Sequence, residues 1–367
     1  MEPATLTTRQ LNRATLARQL LLERAQIPVP DAVKRLGGLQ AQEPKPPFLG
    51  LWSRLEEFRE SDLADALHDR SVVRATLMRG TLHLATAADY AAFRAPLQTV
   101  LSRGMVAALR ERAQGLDPAA VLPAARALLE ERPRTFDELR TLLQEAFPEV
   151  NHRALGFTVR MLLPLVMVPT DDRWAFPRVA DFTLAEDWLG RPLKTDESPD
   201  GLVLRYLAAF GPASAADVQT WSGLQGIKTV LEDLRPRLAA FTDERGRELF
   251  DLPDAPRPEE SVPAPPRFLP EFDSLLLAHA DRARVIDDEH RPAVITKNLR
   301  VRATFLIDGF VRGTWDVKRT RKRATLTITP FGSVTKRDAA ALRSEGASLL
   351  GFTDADAGEH EVTLAEP

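Results

Sequence analysis

Apolar residues recur at helical spacing through the opening stretch of the chain. "TTRQLNRATLARQLLLERA" sets Leu11, Leu16, Leu20 and Leu21 on one face, which predicts an amphipathic helix. "PDAVKRLGGLQ" opens on a proline, offers Asp31 as N-cap and stops at Gly37-Gly38. "PFLGLWSRLEEF" and "SDLADALHDR" predict two more helices, the second capped by Ser61. The period then changes to two. In "SVVRATLMRGTLHLATAADY", Val73, Ala75 and Leu77 alternate with Val72, Arg74 and Thr76; Arg79-Gly80 turns the chain and "TLHLAT" returns. Helices followed by a two-stranded hairpin form a winged-helix pattern, the hairpin being the wing.

The same order of elements recurs twice. "LPAARALLEERP", "TFDELRTLLQEAF" and "NHRALGFTVRMLLPL" predict a second helical trio, with Thr135 and Glu138 as a capping box. "VMVPTDDRWAFP", turning at Asp171-Asp172, predicts its wing. "GLVLRYLAAFG", "SAADVQTWSG" and "GIKTVLEDLRPRL" predict a third trio, and "AAFTDERGRELFDL" a wing that turns at Arg245-Gly246. "DLPDAPRPEESVPAPPRFLP" is proline-rich and acidic, the composition of a linker. Strand patterns dominate beyond it: "ARVIDD", "AVITKN", "RATFLIDGFVRGTWDV" with a hairpin at Asp308-Gly309, and "RATLTITPF". "DAAALRSEGASLLGF" predicts a helix on a small antiparallel sheet or barrel. The expected divisions are 1–115, 116–194, 195–255 and 268–367.

At 367 residues the chain is too long for one ordinary core. Hydrophobic residues at 44% and charged residues at 28% fit a globular protein. The absence of cysteine excludes disulfides, thiol nucleophiles and zinc–thiolate centres. Six histidines without an H-x-x-x-H pair give no metal pattern, and no metal or cofactor is expected. The N-terminus lacks an apolar signal segment, and no apolar run reaches the ~18 residues of a membrane span. A cytoplasmic protein without a membrane partner is expected.

Net charge is −3, so any nucleic-acid surface must be a local patch. From Arg291 to Arg323 there are ten Lys/Arg against two Asp, densest at Lys318, Arg319, Arg321, Lys322 and Arg323. The ordinary reading of such a run is a solvated turn; beside wing-like units, a phosphate-contacting loop is the alternative. Arg74, Arg79 and His83 on the first wing are further candidates for DNA contact, although a histidine in a sheet is as often bonded to backbone.

"GGLQAQEPKPP" sets Gln40 and Gln42 two residues apart in a loop. By themselves two loop glutamines are ordinary polar residues. The strings around them change that reading. "QLNRATLARQLLL", "LGGLQAQEP", "LWSRL", "RATLMRGTLHLAT", "LPEFDSLLLAHADR" and "DGFVRGTW" occur in this order across nearly the whole chain. Together they resemble the bacterial winged-helix DNA glycosylases of the AlkZ/YcaQ type. The resemblance implies an α+β fold of three tandem winged helices and a C-terminal antiparallel β-barrel, forming a C-shaped clamp on DNA. It implies excision of N7-alkylated guanines and, in some members, unhooking of interstrand crosslinks left by bis-alkylating natural products. Gln40-Ala41-Gln42 resembles the Q-Φ-Q motif of the AlkZ branch rather than the Q-Φ-D of the YcaQ branch. Gln40 and Gln42 are thereby the expected catalytic pair.

The chemistry admits two amides. An N7-alkylguanine is already cationic and leaves as a neutral base, so no leaving-group acid is needed. Amides in an extended segment two residues apart point the same way and can hold one water between them. Glu43 is an alternative base, but an extended segment before Pro44 turns it to the other side. Lys45 is the nearest lysine, and a lyase amine needs burial, so no lyase step is expected. Trp52 is expected in the core, Arg54 is a candidate DNA contact, and Asp273 is expected to cap its segment or pair with Arg282 or Arg284. A monomer acting on double-stranded DNA is the first reading. A non-catalytic winged-helix regulator or drug-sequestering protein is the second, although regulators are usually smaller symmetric dimers.

Overall fold

The computed structural model describes residues 3–296 and 300–366. β1 (Ala4–Leu6) leads into α1 (Thr8–Arg18), which starts at a capping box of Thr7 and Gln10. α2 (Val29–Arg35) begins directly after Pro28, so Asp31 lies inside the first turn rather than at the cap. Gly37 and Gly38 are both left-handed, φ +70° and +87°, and a Cβ on Gly38 would stand 2.8 Å from the Leu84 carbonyl oxygen. That close approach lets the chain enter β2 (Leu39–Gln40) against the hairpin. α3 (Lys45–Trp52) and α4 (Glu60–His68) follow; Arg59 rather than Ser61 occupies the cap of α4, its N–H donating to Asp62 at 2.8 Å.

β3 (Val72–Thr76) and β4 (Leu82–Thr86) make the expected first hairpin. α5 (Ala87–Phe93) and α6 (Gln98–Leu109) lead to α7 (Pro118–Glu131), α8 (Phe136–Ala146) and α9 (His152–Leu162), the expected second trio. The Thr135–Glu138 capping box is present at the start of α8. β5 (Leu165–Met167) pairs with β6 (Phe182–Leu184), so the expected turn at Asp171-Asp172 belongs to a longer connection. β5 also joins β3, Ala75 opposite Val166, both fully buried. One sheet of order β2-β4-β3-β5-β6 therefore contains both hairpins and spans the expected division at residue 115. Short apolar edges explain the merger: each hairpin buries its open edge on the other.

α10 (Ala185–Leu189), α11 (Asp200–Phe210), α12 (Ala215–Ser222) and α13 (Ile227–Leu234) precede β7 (Ala239–Asp243) and β8 (Glu248–Asp251). β1 runs parallel to β7, so the N-terminal strand completes the third hairpin's sheet. The proline-rich segment after β8 is not a loose linker. Arg9 Nε donates to Glu260 O at 2.9 Å, Arg13 Nε to Val262 O at 2.6 Å and Arg18 Nη2 to Pro256 O at 3.2 Å. Extended chain leaves its carbonyls unpaired, and the arginines of α1 collect them.

The C-terminal part comprises β9 (Arg267–Leu269), α14 (Arg291–Val294), β10 (Thr304–Ile307), β11 (Phe310–Arg319), β12 (Arg323–Pro330), α15 (Lys336–Thr353) and β13 (Glu359–Leu364). The sheet order is β13-β12-β11-β10-β9. Its outer strands do not pair with each other and β13 is parallel to β12. Among the described residues this is an open mixed sheet, which corrects the expected antiparallel barrel. α15 supplies the closure instead: Leu342, Leu349 and Leu350 pack on Phe268, Phe305 and Leu326. "ARVIDD" forms turns that bury Val285 and Ile286. "AVITKN" begins in α14, and its residues 297–298 lie outside the described residues.

Candidate active site at the glutamine loop

Gln40 ends β2, opposite His83 of β4, and is 9% exposed; Gln42 lies two residues on and is exposed. Ala41 N–H donates to Leu82 O at 2.7 Å, which continues the edge pairing past the strand. Both glutamines run toward the turn between β3 and β4. Gln40 Oε1 accepts from Arg79 Nη2 at 3.0 Å, and Gln42 Oε1 stands 3.5 Å from the Leu82 N–H. The second contact is at the limit of a hydrogen bond. The edge pairing runs through Ala41 and the chain then bends from Gln42 to Pro44, with the Gln40 carbonyl engaged by an arginine.

The first-hairpin residues expected to touch DNA lie around this loop. Arg74 is 3% exposed; its Nε donates to Ala41 O at 2.9 Å and its Nη2 to Gln42 O at 3.1 Å. Its guanidinium lies 4.7 Å from the centre of the Phe176 ring. Burial lowers the Arg74 pKa to about 10, against the opposing pull of Glu43, and leaves it a cation near neutral pH. Arg79 donates to Gln40 and to the Trp221 carbonyl, and burial lowers it too to about 10. His83 is 1% exposed, and its Nδ1 faces the Thr81 carbonyl at 3.0 Å. A carbonyl only accepts, so Nδ1 carries the proton. Burial first, and Arg79 second, push the His83 pKa down to about 3. Arg74, Arg79 and His83 thus all have partners inside the protein; Arg74 and His83 are buried, whereas Arg79 is half-buried.

Arg54 likewise turns inward. It is 1% exposed and grips both carboxylate oxygens of Asp273 at 2.9 Å, with further bonds to Gln19 O and Gly50 O. Asp273 accepts from Leu275 N–H at 3.0 Å, the expected cap, but its ion partner is Arg54 rather than Arg282 or Arg284. Trp52 is half-buried, under the Arg24 guanidinium at 4.8 Å.

The basic turn lies where the strand pattern sets it, between β11 and β12. Arg319 is bonded to Asp354 and Asp356, and Arg323 to Glu359 and Glu361. Lys318, Arg321 and Lys322 are exposed and, among the described residues, form no ion pair. The acidic tail, read separately from the basic run, is what neutralises two of its five cations.

A cleft of about 770 Å³ opens between the glutamine loop and the C-terminal sheet. Glu43 and Lys45 line one side, Arg302 and Asp316 the other, with Glu271 and its partner Arg300 at the rim. Glu43 lines the cleft, while Gln42 Oε1 faces the Leu82 N–H of β4. Burial lowers the pKa of Lys45, whose ammonium sits 5.7 Å from the centre of the Trp174 ring. A smaller cavity of about 10 Å³ touches Gln40, Pro46 and Glu271, near the minimum that one water occupies. Sequence reasoning missed Phe176, Trp174, Glu271 and the paired Arg300, because all approach the loop from distant segments. Asp287, Glu289 and His290 come within 4.8 Å of one another at an exposed turn, where Arg312 already engages Asp287 at 2.9 Å. Among the described residues no helix is long and apolar enough to cross a membrane.

A family model described as DNA glycosylase AlkZ-like matches residues 33–352. An interstrand DNA cross-link repair glycosylase of Streptomyces sahachiroi is 27% identical over 369 residues, covering 93% of this chain and 95% of that protein. The solved structure of the Streptomyces sahachiroi DNA glycosylase AlkZ aligns with a TM-score of 0.80 at 22% identity, over 98% of this chain and 100% of that one.

Proposed function

Because the chain belongs to the AlkZ-like DNA glycosylase family, we propose that it hydrolyses the N-glycosidic bond of cationic N7-alkylguanine in double-stranded DNA. Interstrand crosslinks joined through such bases are included in its substrates, in line with the cross-link repair glycosylase to which it is similar. The observation that supports this reading is Gln40-Ala41-Gln42, held by Arg74 and Arg79 and followed directly by Glu43, which lines an open cleft. In the reaction a water oxygen bonds to C1′ as the C1′–N9 bond breaks. The electron pair of that bond enters the alkylated ring, which leaves neutral, and the water loses a proton to solvent. An amide is no base near neutral pH, so the glutamines act by orienting the water. Unmodified purines, which need leaving-group protonation, remain intact.

The three helix–hairpin units are read here as winged helices, and the protein as a monomeric clamp. Within the basic turn, Lys318, Arg321 and Lys322 are the exposed cations available to phosphates. The reaction is monofunctional: Lys45, although its pKa is lowered, stands over Trp174. The test uses duplexes carrying N7-methylguanine or a nitrogen-mustard crosslink, with hydroxide to cut abasic sites. Alkali-dependent breaks that vanish in a Gln40→Ala, Gln42→Ala double variant are expected, with no borohydride-trapped adduct. Breaks undiminished in that variant overturn the mechanism. No breaks with either substrate, alongside tight DNA binding, favour a non-catalytic binder.

A further inference from the structure

We infer that Arg79 is a positioning residue that fixes Gln40 with its carbonyl inward and its amide N–H groups toward the reacting water, so that Gln40 serves as a donor and not an acceptor. The inference rests on the glycosylase reading of the same site and assigns its two amides different roles.

The orientation follows from the inventory of donors and acceptors. A guanidinium has five N–H donors and no acceptor. The amide end that faces Arg79 Nη2 at 3.0 Å must therefore be Oε1. The NH2 end of Gln40 is what remains for the site. Arg79 has no carboxylate partner among the described residues; its acceptors are the Trp221 carbonyl and Gln40 Oε1. A largely desolvated cation with so few acceptors holds each of them firmly. Donation to the carbonyl also draws electrons from the amide nitrogen, which makes its N–H groups better donors.

The backbone is shaped for this contact. Arg79 has φ 57° and Gly80 φ 70°, in a turn closed by Gly80 N–H to Leu77 O at 3.0 Å and Thr81 N–H to Met78 O at 3.2 Å. A left-handed arginine is strained relative to glycine. That strain is tolerated where the surroundings fix the residue, and here it directs the side chain under the end of β2. Gln42 differs. It is exposed, and among the described residues its side chain makes one contact, Oε1 facing the Leu82 N–H at 3.5 Å, which leaves a lone pair of that oxygen free. A water between the two amides then accepts from Gln40 and donates to Gln42. One lone pair remains for C1′. A donor and an acceptor thus engage one lone pair and one hydrogen of the water, which seats its oxygen between the two amides.

Gln40→Glu separates the two roles. A carboxylate still accepts from Arg79, so the loop stays folded, but it cannot donate to water. Single-turnover excision of N7-methylguanine at saturating enzyme is expected to fall about 100-fold, the usual effect of losing one such donor, with half-saturation unchanged. Arg79→Met is expected to lower the same rate, and Arg79→Lys to restore part of it because an ammonium can donate to Oε1. Selective 15N-glutamine labelling gives a readout that needs no activity. The Gln40 side-chain amide signals, identified by their loss in Gln40→Ala, should move in Arg79→Met. Rates in Gln40→Glu equal to or above the parent overturn the donor role. Gln40 signals unmoved in Arg79→Met overturn the lock, even if the parent protein proves to cleave nothing, an outcome that would sink the glycosylase reading alone.

Discussion

Arg54 Nη1 and Nη2 each stand 2.9 Å from an oxygen of Asp273, with both side chains 2% exposed. Removing one partner leaves a buried charge unpaired, so Arg54→Ala should lose about 3–5 kcal/mol of stability in urea titrations. A phosphate-contacting arginine would instead leave stability intact and flatten the salt dependence of DNA binding. His83 makes a prediction of opposite character. Its folded pKa lies near 3, below the ordinary value of 6.5. Above pH 6.5 both folded and unfolded chains hold it neutral. As pH falls below 6.5 the unfolded chain takes up a proton that the folded one refuses, so stability drops by about 1.4 kcal/mol per pH unit until pH approaches 3. The carboxylates held below their usual range, such as Asp243 and Asp308, add to the loss only nearer pH 4. Between pH 6 and 4.5, thermal melting of His83→Gln should therefore fall less steeply than that of the parent; equal slopes would contradict the buried neutral histidine. At this scale the sequence revealed which residues gather at the site but not which way they face. Arg74, Arg79 and His83 are all near the glutamine loop as their hairpin predicts. Whether a hairpin arginine points to solvent or inward depends on Phe176 and Trp221, which lie far along the chain and carry no local signal.

Elements were more legible than their edges. The hairpins β3–β4 and β7–β8, the capping box of α8 and the basic turn between β11 and β12 lie where period and turn residues indicate. The connection of β5 to β3, and of β13 to β12, was not legible, because which open edge pairs with which is set by tertiary contact. The second of these decides the electrostatics of the basic turn. Parallel pairing brings Glu359 opposite Arg323 and Glu361 opposite Thr325, and the loop before it delivers Asp354 and Asp356 to Arg319. The five cations are therefore unequal. Lys318→Ala, Arg321→Ala and Lys322→Ala should each reduce the slope of log K against log salt by about 0.9 for duplex DNA, if each neutralises one phosphate. Arg319→Ala and Arg323→Ala should change it less, because their charge is already shared with carboxylates. Fluorescence anisotropy across a salt series measures both sets; equal slope changes for all five would mean that the tail releases its arginines on DNA.

On the scale of the whole molecule, α1 ties together parts that the sequence pattern divides. Arg18 is bonded to Asp251 at the end of β8, at 2.7 and 2.8 Å, with 1% and 0% of the two side chains exposed. Arg257 reaches the same carboxylate from the proline-rich segment. Asn12 Nδ2 donates to Arg284 O at 2.7 Å and Gly309 O at 2.8 Å, and Arg13 pairs with Asp308, in the hairpin that links β10 to β11. One helix thus holds the third helical unit, the connecting strap and the C-terminal sheet in register. Such a helix carries three sets of interactions that are lost together, which is the requirement for cooperative unfolding of otherwise separate cores. Trp221 in the third unit and Trp315 in the C-terminal sheet report on the two sides of the strap. In versions retaining only one of these tryptophans, urea midpoints should coincide in the parent sequence. Arg18→Met should cost about 3–5 kcal/mol, toward the lower end because Arg257 still partners Asp251. Combined with Arg13→Ala it should separate the two midpoints and speed protease cleavage within residues 253–266. Midpoints already separate in the parent would show that the strap is only a tether and that α1 does not couple the two cores.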